Sequence, residues 1–267
     1  MKIGDVSFWY ADMGLPETRR PPLSGDTSVD VAIIGAGFTG LWTAWYLMQE
    51  KPDLKVLVIE KEFAGFGASG RNGGQIGTGQ RASPAELEAE LGFERSKALF
   101  ELAENAKHYL LDFAEQHGID IEYLPGQMNV SHKRNGESDY RHEAEIMAVR
   151  YGYPHVSFMD REETAARLGS SAYHYGVRDT GTGHIHPLKL LVGLARVAAS
   201  AGARIHEMTP ASAIRQAGGR TVIDTPKGTI TAATEMHYAP FDMLKDGEYQ
   251  GIGRDLFDEV AKELGVK

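Results

Sequence analysis

The chain of 267 residues contains no cysteine. That absence excludes disulfides, thiolate catalysis and cysteine-bearing metal sites, and it leaves the redox compartment unspecified. Basic charge is also scarce, with 28 Lys and Arg against 37 Asp and Glu and a formal net charge of −9. Such a balance argues against a nucleic-acid partner, which calls for a basic face, and a local pair such as Arg19-Arg20 does not alter it. Met1 to Asp26 has no continuous apolar core and carries Pro16, Pro21 and Pro22, so it reads neither as a signal peptide nor as a membrane span. The expectation is a cytoplasmic protein with no membrane partner. Zinc-protease, nucleophile-elbow and P-loop patterns are all missing, as are internal repeats, and no metal site is expected. What remains is a globular composition, 42% hydrophobic and 24% charged, long enough to bury the core of one large domain or two smaller ones.

The most informative stretch is Val29 to Glu60. An apolar run, Val31-Ala32-Ile33-Ile34, leads into Gly35-Ala36-Gly37-Phe38-Thr39-Gly40, followed by a helix-like segment and a second apolar run that ends at Glu60. This is the strand, glycine turn, helix, strand, acid order of a dinucleotide-binding crossover. Gly35 permits the tight turn, Gly37 lets backbone approach a pyrophosphate, and Gly40 lets the helix pack close to the strand. The helix N-terminus offers unpaired N–H groups and partial positive charge to phosphates. Glu60 can accept hydrogen bonds from a ribose diol, and its charge would repel a 2′-phosphate, which disfavours NADP.

Further elements follow from composition and period. Met1 to Ser28 reads as an extended arm bearing Phe8, Trp9 and Tyr10, packed on the domain. Ala64 to Gly79 is glycine-rich with almost no apolar periodicity, a loop that needs something to order it. Phe93 to His117 has the period of an amphipathic helix. Ile119 to Leu124 and Gln127 to His132 read as strands around Pro125-Gly126, Asp139 to Tyr151 as a helix, and Asp160 to Glu163 as a capping box opening a short helix that Gly169 ends. Pro187 to Ala201 is a helix with proline in its first turn and Gly202 after its end. Short strands follow from Arg204, with Arg220 to Thr225 and Thr229 to Ala233 joined by a Pro226-Lys227-Gly228 turn.

The segment Ala68-Ser69-Gly70-Arg71-Asn72-Gly73-Gly74-Gln75, with the fingerprint and Glu60, resembles the FAD-dependent amine and amino-acid oxidoreductases of the D-amino-acid oxidase superfamily, most nearly the gamma-glutamylputrescine oxidase-like branch. The resemblance takes in Pro21 to Asp26, Gly183 to Lys189 and Lys227 to Ala233. It implies an α/β fold: a Rossmann-type FAD/NAD(P)-binding domain, discontinuous over residues 29–118 and 187–233, with a partial antiparallel substrate domain over 119–186 and an arm over 1–28. Gly35, Ala36, Gly37 and Gly40 would cradle the pyrophosphate of a non-covalent FAD, and Glu60 with Lys61 would hold the adenosine ribose. Ser69, Arg71, Asn72, Gly73 and Gly74 would lie along the pyrophosphate and isoalloxazine, and backbone near Ala211 would meet the adenine. The implied reaction is oxidation of a small amine or amino acid by hydride transfer to flavin N5. An NAD-dependent enzyme is a further possibility, which Ala68 to Gln75 counts against.

The likeness breaks after Thr234. Tyr238-Ala239-Pro240-Phe241 and the stretch from Gly247 to Lys267 resemble the opening of a periplasmic amino-acid-binding protein of an ABC transporter, with an amphipathic helix through Leu256, Val260 and Leu264. Tyr238, Phe241 and Asp242 would line an amino-acid site in that family. The expectation is a junction of two incomplete coding sequences, yielding a truncated oxidoreductase, a cofactor-binding remnant without turnover, or a fusion product. A complete but divergent flavoprotein is the alternative. No catalytic residue is identifiable. His184 and His186 alternate on an expected strand, where one shared face would permit a substrate or metal contact, although a structural role is the stronger reading without a nearby carboxylate. Trp42, Trp45 and Tyr46 are expected to pack. Glu86, Glu88, Glu90, Glu94, Glu101 and Glu104 are expected to form a solvated face.

Overall fold

The computed structural model describes residues 6–14, 20–217, 219–232, 237–238, 242–245 and 248–250. In chain order its elements are α1 (Phe8–Met13), β1 (Thr27–Val29), β2 (Val31–Ile34), α2 (Phe38–Glu50), β3 (Val56–Ile59), β4 (Gln75–Ile76), α3 (Pro84–Leu91), α4 (Phe93–Gln116), β5 (Leu124–Ser131), α5 (Glu137–Val149), β6 (Val156–Met159), α6 (Arg161–Leu168), β7 (Tyr175–His184), α7 (Pro187–Ser200), β8 (Arg204–His206), β9 (Ala213–Ala217), β10 (Arg220–Thr225), β11 (Gly228–Ala232), β12 (His237–Tyr238), β13 (Asp242–Lys245) and β14 (Glu248–Gln250). The chain forms two compact units, one of Met1–Glu17 with Ala64–Val197 and one of Thr18–Phe63 with Ala198–Lys267. These limits group Ala64 to Gly118 with the residues that follow it, whereas the resemblance implies that this stretch belongs to the cofactor domain.

The unit containing Thr18–Phe63 holds the parallel sheet β2-β3-β8, with Val31 opposite Val56 and Val58 opposite Ile205. All four residues of β3 are buried, as expected of a central parallel strand covered on both faces. Between β2 and β3, α2 buries Gly40, Leu41, Ala44, Trp45 and Met48 along one face. Trp45 is core, Trp42 is half-buried, and Tyr46 is exposed with its ring 5.9 Å from that of Trp42. A second sheet runs β1-β11-β10-β9, with β1 parallel to β11 and the rest antiparallel. Thr225 pairs with Gly228 across the expected Pro226-Lys227 turn. Leu23, Val29, Leu57, Ile59, Ile223, Ile230 and Ala232 form this unit's core, and Ala211 packs against it.

The other unit is built on antiparallel strands, with β7 paired to β4, β5 and β6. One strand, β5, replaces the two expected around Pro125-Gly126. Its register shifts between Pro125 and Gln127, and Gly126 has φ +101°, so the Pro-Gly pair makes a bulge instead of a break. The predicted long helix is α4, preceded by an unanticipated α3. Pro84 starts α3, and Ser83 and Glu86 close a reciprocal capping box. Asp160 caps α6 through Glu163 N, and Gly169 ends it at φ +66°. Phe100, Met147, Tyr151 and Tyr153 form a buried aromatic core.

Two further expectations need correction in this fold. The first 28 residues are not simply extended, since Phe8, Trp9 and Tyr10 lie on α1, which Gly14 terminates in a left-handed conformation, and Thr27 to Val29 form β1. The helix was hidden because six residues carry too little propensity to signal it, and tertiary contacts make it. The glutamates also do not all form a solvated face. Glu104 is largely buried against Lys107 at 2.6 Å, Glu88 pairs with Arg150, and Glu86 caps α3.

After Thr234 the described residues form the antiparallel sheet β12-β13-β14. Tyr238 and Asp242 fall on its strands. Phe241 and the helix expected through Leu256, Val260 and Leu264 lie outside the described residues.

Candidate functional site

Each glycine of the Gly35–Gly40 turn has its own physical reason. Gly35 sits at φ +106°, which a residue with a Cβ resists, and its N–H donates to Ile59 O at 2.8 Å. A Cβ on Gly40 would stand 2.1 Å from Gly35 O and 3.1 Å from Ile33 Cγ2, so only glycine lets α2 approach the turn this closely. Gly37 is the N-cap of α2 at φ −88°, a conformation open to any residue. Its backbone imposes no demand for glycine. α2 has no side-chain N-cap hydrogen bond, and a helix N-terminus of this kind suits an anion.

Glu60 follows directly on β3 and is fixed on every side. Its N–H donates to His206 O at 2.9 Å and its carbonyl accepts from Thr209 N at 2.8 Å. Oε2 accepts from Ala36 N at 2.9 Å and Oε1 from Glu62 N at 3.1 Å. The carboxylate therefore joins the end of β3 to the glycine turn, and its remaining lone pairs can still accept from a diol. Lys61 beside it is exposed. Ala211 is half-buried on the core side of this unit.

Within the other unit, the stretch Ala64 to Gly79 is an ordered loop. It contains a 3₁₀ turn over Ala68–Gly70 and the short strand β4. Asn72 is its staple: Nδ2 donates to Ser69 O at 2.9 Å and Ala68 O at 3.3 Å, while Oδ1 accepts from Gly74 N at 2.8 Å. Its side chain is thus committed to the loop, and a cofactor contact at this position falls to backbone. Gly74 has φ +69°, and a Cβ there would stand 2.2 Å from Ile185 O. Gly73 is exposed, and a Cβ on it would meet nothing within 4 Å. Arg71 donates Nε to Phe66 O at 2.7 Å and lays its guanidinium over the Phe66 ring. Among the described residues its terminal nitrogens make no hydrogen bond, so they are left for an anionic oxygen. Ser69 is half-buried.

A cavity of about 170 Å³ in the same unit is lined by Phe100, Met147, Tyr151, Val156, Glu143 and Asp179. Nearby, Tyr153 Oη lies 2.7 Å from Thr78 Oγ1 and donates to Asp179 Oδ1 at 2.8 Å. Burial above all, then the hydrogen bond to Asp179 and its charge, pushes the Tyr153 phenol well above its ordinary range, so it stays protonated. Partial burial and Asp179 likewise raise the Glu143 carboxyl. The cavity's charge favours a neutral or cationic occupant over an anion. Sequence reading did not find this cluster, because Thr78, Tyr153 and Asp179 share no local pattern.

His184 and His186 do not share a face. β7 ends at His184, which is exposed, while His186 is buried with Nδ1 accepting from Lys189 N at 3.2 Å. Among the described residues no cluster of three or more His, Asp or Glu could hold a metal ion, and no helix is long and apolar enough to cross a membrane.

The combination of a βαβ glycine turn, an acid at the end of the second strand and a second ordered glycine loop defines a nucleotide-binding flavoprotein class. Residues 30–236 match the FAD dependent oxidoreductase (DAO) family, to which the chain belongs. It is 57% identical over 225 residues to a probable oxidoreductase, OrdL, from Rhizobium meliloti strain 1021, covering 84% of this chain and 52% of that protein. A gamma-glutamylputrescine oxidoreductase from Escherichia coli K12 is 29% identical over 85% of this chain and 52% of its own length, which bears out the resemblance seen in the sequence. Another probable OrdL, from Haemophilus influenzae, is 27% identical over 94% of this chain and 58% of its own length. The crystal structure of glycine oxidase from Geobacillus kaustophilus superposes with TM-score 0.60 at 26% identity, covering 77% of this chain and 53% of that one. The α/β fold with a parallel sheet is therefore that of the family. The chain spans about half the length of the curated relatives it matches.

Proposed function

We propose that this chain binds FAD non-covalently and forms the cofactor-binding part of an oxidoreductase acting on small amines or amino acids in the cytoplasm. The glycine turn carries the proposal: Gly37 begins a helix with no side-chain N-cap hydrogen bond, and the neighbouring Ala36 N–H is held by a carboxylate anchored at the end of β3. That donor set fits a pyrophosphate and a ribose diol. In this assignment Gly35 to Gly40 and Glu60 hold the pyrophosphate and ribose, with Lys61 and backbone near Ala211 at the adenosine. Arg71, Ser69 and the backbone of Asn72, Gly73 and Gly74 hold the flavin end. The discontinuous division into a cofactor domain over 29–118 and 187–233 and a substrate domain over 119–186 belongs to the same reading.

When bound, FAD supplies the two-electron acceptor, so the protein's share is to bind, orient and exclude. The amine substrate class is supported by the names of the relatives and by the acid-lined cavity, whose charge suits a cation. The test is direct. Purified protein should be yellow or should take up added FAD with a flavin spectrum, and anaerobic gamma-glutamylputrescine, sarcosine or glycine should bleach it. A colourless protein that ignores FAD overturns the proposal, whereas bound flavin that no amine bleaches favours the remnant without turnover.

A second reading concerns residues after Thr234. The family match ends at 236, next to the point where the sequence pattern changes, which supports a junction with a foreign segment. The Haemophilus relative, aligned over 253 residues, supports the divergent flavoprotein instead. Resequencing the source DNA across codons 230 to 240 tests whether an assembly error made the junction.

A further inference from the structure

Helix α1 holds the glycine loop from a distant part of the sequence. Ser7 Oγ donates to Gly70 O at 2.8 Å, Trp9 Nε1 to Asn72 O at 2.7 Å, and Tyr10 Oη to Ala64 O at 2.7 Å. Ser7 occupies the N-cap position of α1, yet its side chain caps nothing there, because its hydroxyl is turned to the loop. A six-residue helix is unstable alone in water, so these contacts make α1 as much as α1 orders the loop. The Trp9 ring also stands 4.8 Å from that of His186. The preceding residue, Ile185, donates its N–H to Gly74 O at 2.8 Å.

We propose that α1 is a positioning clamp for the cofactor, with Trp9 its central residue, fixing the backbone of Asn72 to Gly74 in the conformation that receives the flavin. This rests on the assignment of Ser69 to Gly74 to FAD given above. No residue of α1 need touch FAD. Clamp and cofactor select the same loop conformation, so each strengthens the other's docking by the same factor.

The test uses the full chain, and begins with wild type titrated with FAD. Phe8 is 70% exposed, which makes it a point of chymotryptic attack on α1. Saturating FAD should slow cleavage after Phe8 as read by mass spectrometry, a measurement that needs no variant. Trp9→Phe keeps an aromatic ring of smaller size but loses the donor, and should weaken FAD binding about three- to tenfold, the worth of one such hydrogen bond, while shifting the visible band of the bound flavin. Ser7→Ala serves the same purpose if circular dichroism shows that Trp9→Phe misfolds. If wild type binds FAD but cleavage is unchanged by it, and the folded variant binds with wild-type affinity and spectrum, the clamp is overturned. Failure of wild type to bind FAD at all overturns the cofactor assignment instead, and the clamp with it.

Discussion

Glu60 Oε2 accepts a hydrogen bond from Ala36 N at 2.9 Å, so the acid that closes β3 also shapes the glycine turn after β2. The two strands are adjacent in the parallel sheet, with Ile34 opposite Ile59, which brings the two residues together although 24 positions separate them. The acid proposed to bind the ribose is thereby also a structural one.

Substituting Glu60→Gln should reveal both roles. The amide has a single oxygen, so it must turn an N–H toward either Ala36 N or Glu62 N, setting donor against donor. We expect a stability loss of about 1–2 kcal/mol, as for a buried donor left unmatched, and FAD affinity reduced about tenfold. Urea midpoints and flavin fluorescence quenching measure the two effects. Unchanged values for both would show that the carboxylate is dispensable.

The turn's glycines separate stability from binding. Gly40→Ala places a Cβ 2.1 Å from Gly35 O, backbone that cannot yield without moving α2. The expected cost is about 3 kcal/mol, at the upper end of overpacking, read as a lowered urea midpoint. Gly37→Val meets no backbone prohibition at φ −88°, and changes stability by only about 1 kcal/mol as an N-cap substitution. It should nevertheless abolish FAD binding, since a branched side chain fills the space of the pyrophosphate. Retained flavin in that variant would refute the placement.

The parts legible in the sequence were those whose causes are local. Val31 to Ile34, the glycine turn and Val56 to Ile59 each carry their own signal, and their order specifies the pairing of β2 with β3. Gly169 and Gly202, marking the ends of α6 and α7, were visible for the same reason. The hidden parts depend on contacts that sequence spacing does not encode. Phe8 to Met13 became a helix because Ser7, Trp9 and Tyr10 find carbonyls more than fifty positions away. Asn72 suggested a cofactor contact, but its amide is consumed by Ala68, Ser69 and Gly74. His184 and His186 obeyed a two-residue period only until β7 ended.

Two glutamates should give opposite pH slopes. Glu143 is raised by partial burial and by Asp179, so the folded state holds its proton to higher pH than the unfolded chain. Stability from this group is present at low pH and lost as pH rises from the ordinary value of 4.5 through the folded value. Glu88 is lowered, first by its hydrogen bond to Arg150, so its contribution is present above 4.5 and lost as pH falls through its folded value. Thermal midpoints between pH 3 and pH 8 test the signs. Glu143→Gln should gain on wild type as pH rises, while Glu88→Gln should lose on it over the same range. Parallel profiles for both variants would contradict the assignment.

The pair Lys107 and Glu104 makes the sharpest energetic case. Their side chains are only 3% and 12% exposed, Nζ to Oε2 is 2.6 Å, and Lys107 Nζ lies 5.4 Å from the centre of the Tyr153 ring. Glu104 Oε1 has no hydrogen-bond partner among the described residues. Removing charges from water costs several kcal/mol per ion, which the pair's attraction only partly offsets, so the pair is worth little net while each partner alone is expensive. Lys107→Met should therefore destabilise by about 3–5 kcal/mol, because it strands a buried carboxylate. Adding Glu104→Gln or Glu104→Leu should recover most of that loss. A double-mutant cycle in urea measures the coupling, and additive losses would mean that the two groups do not depend on one another.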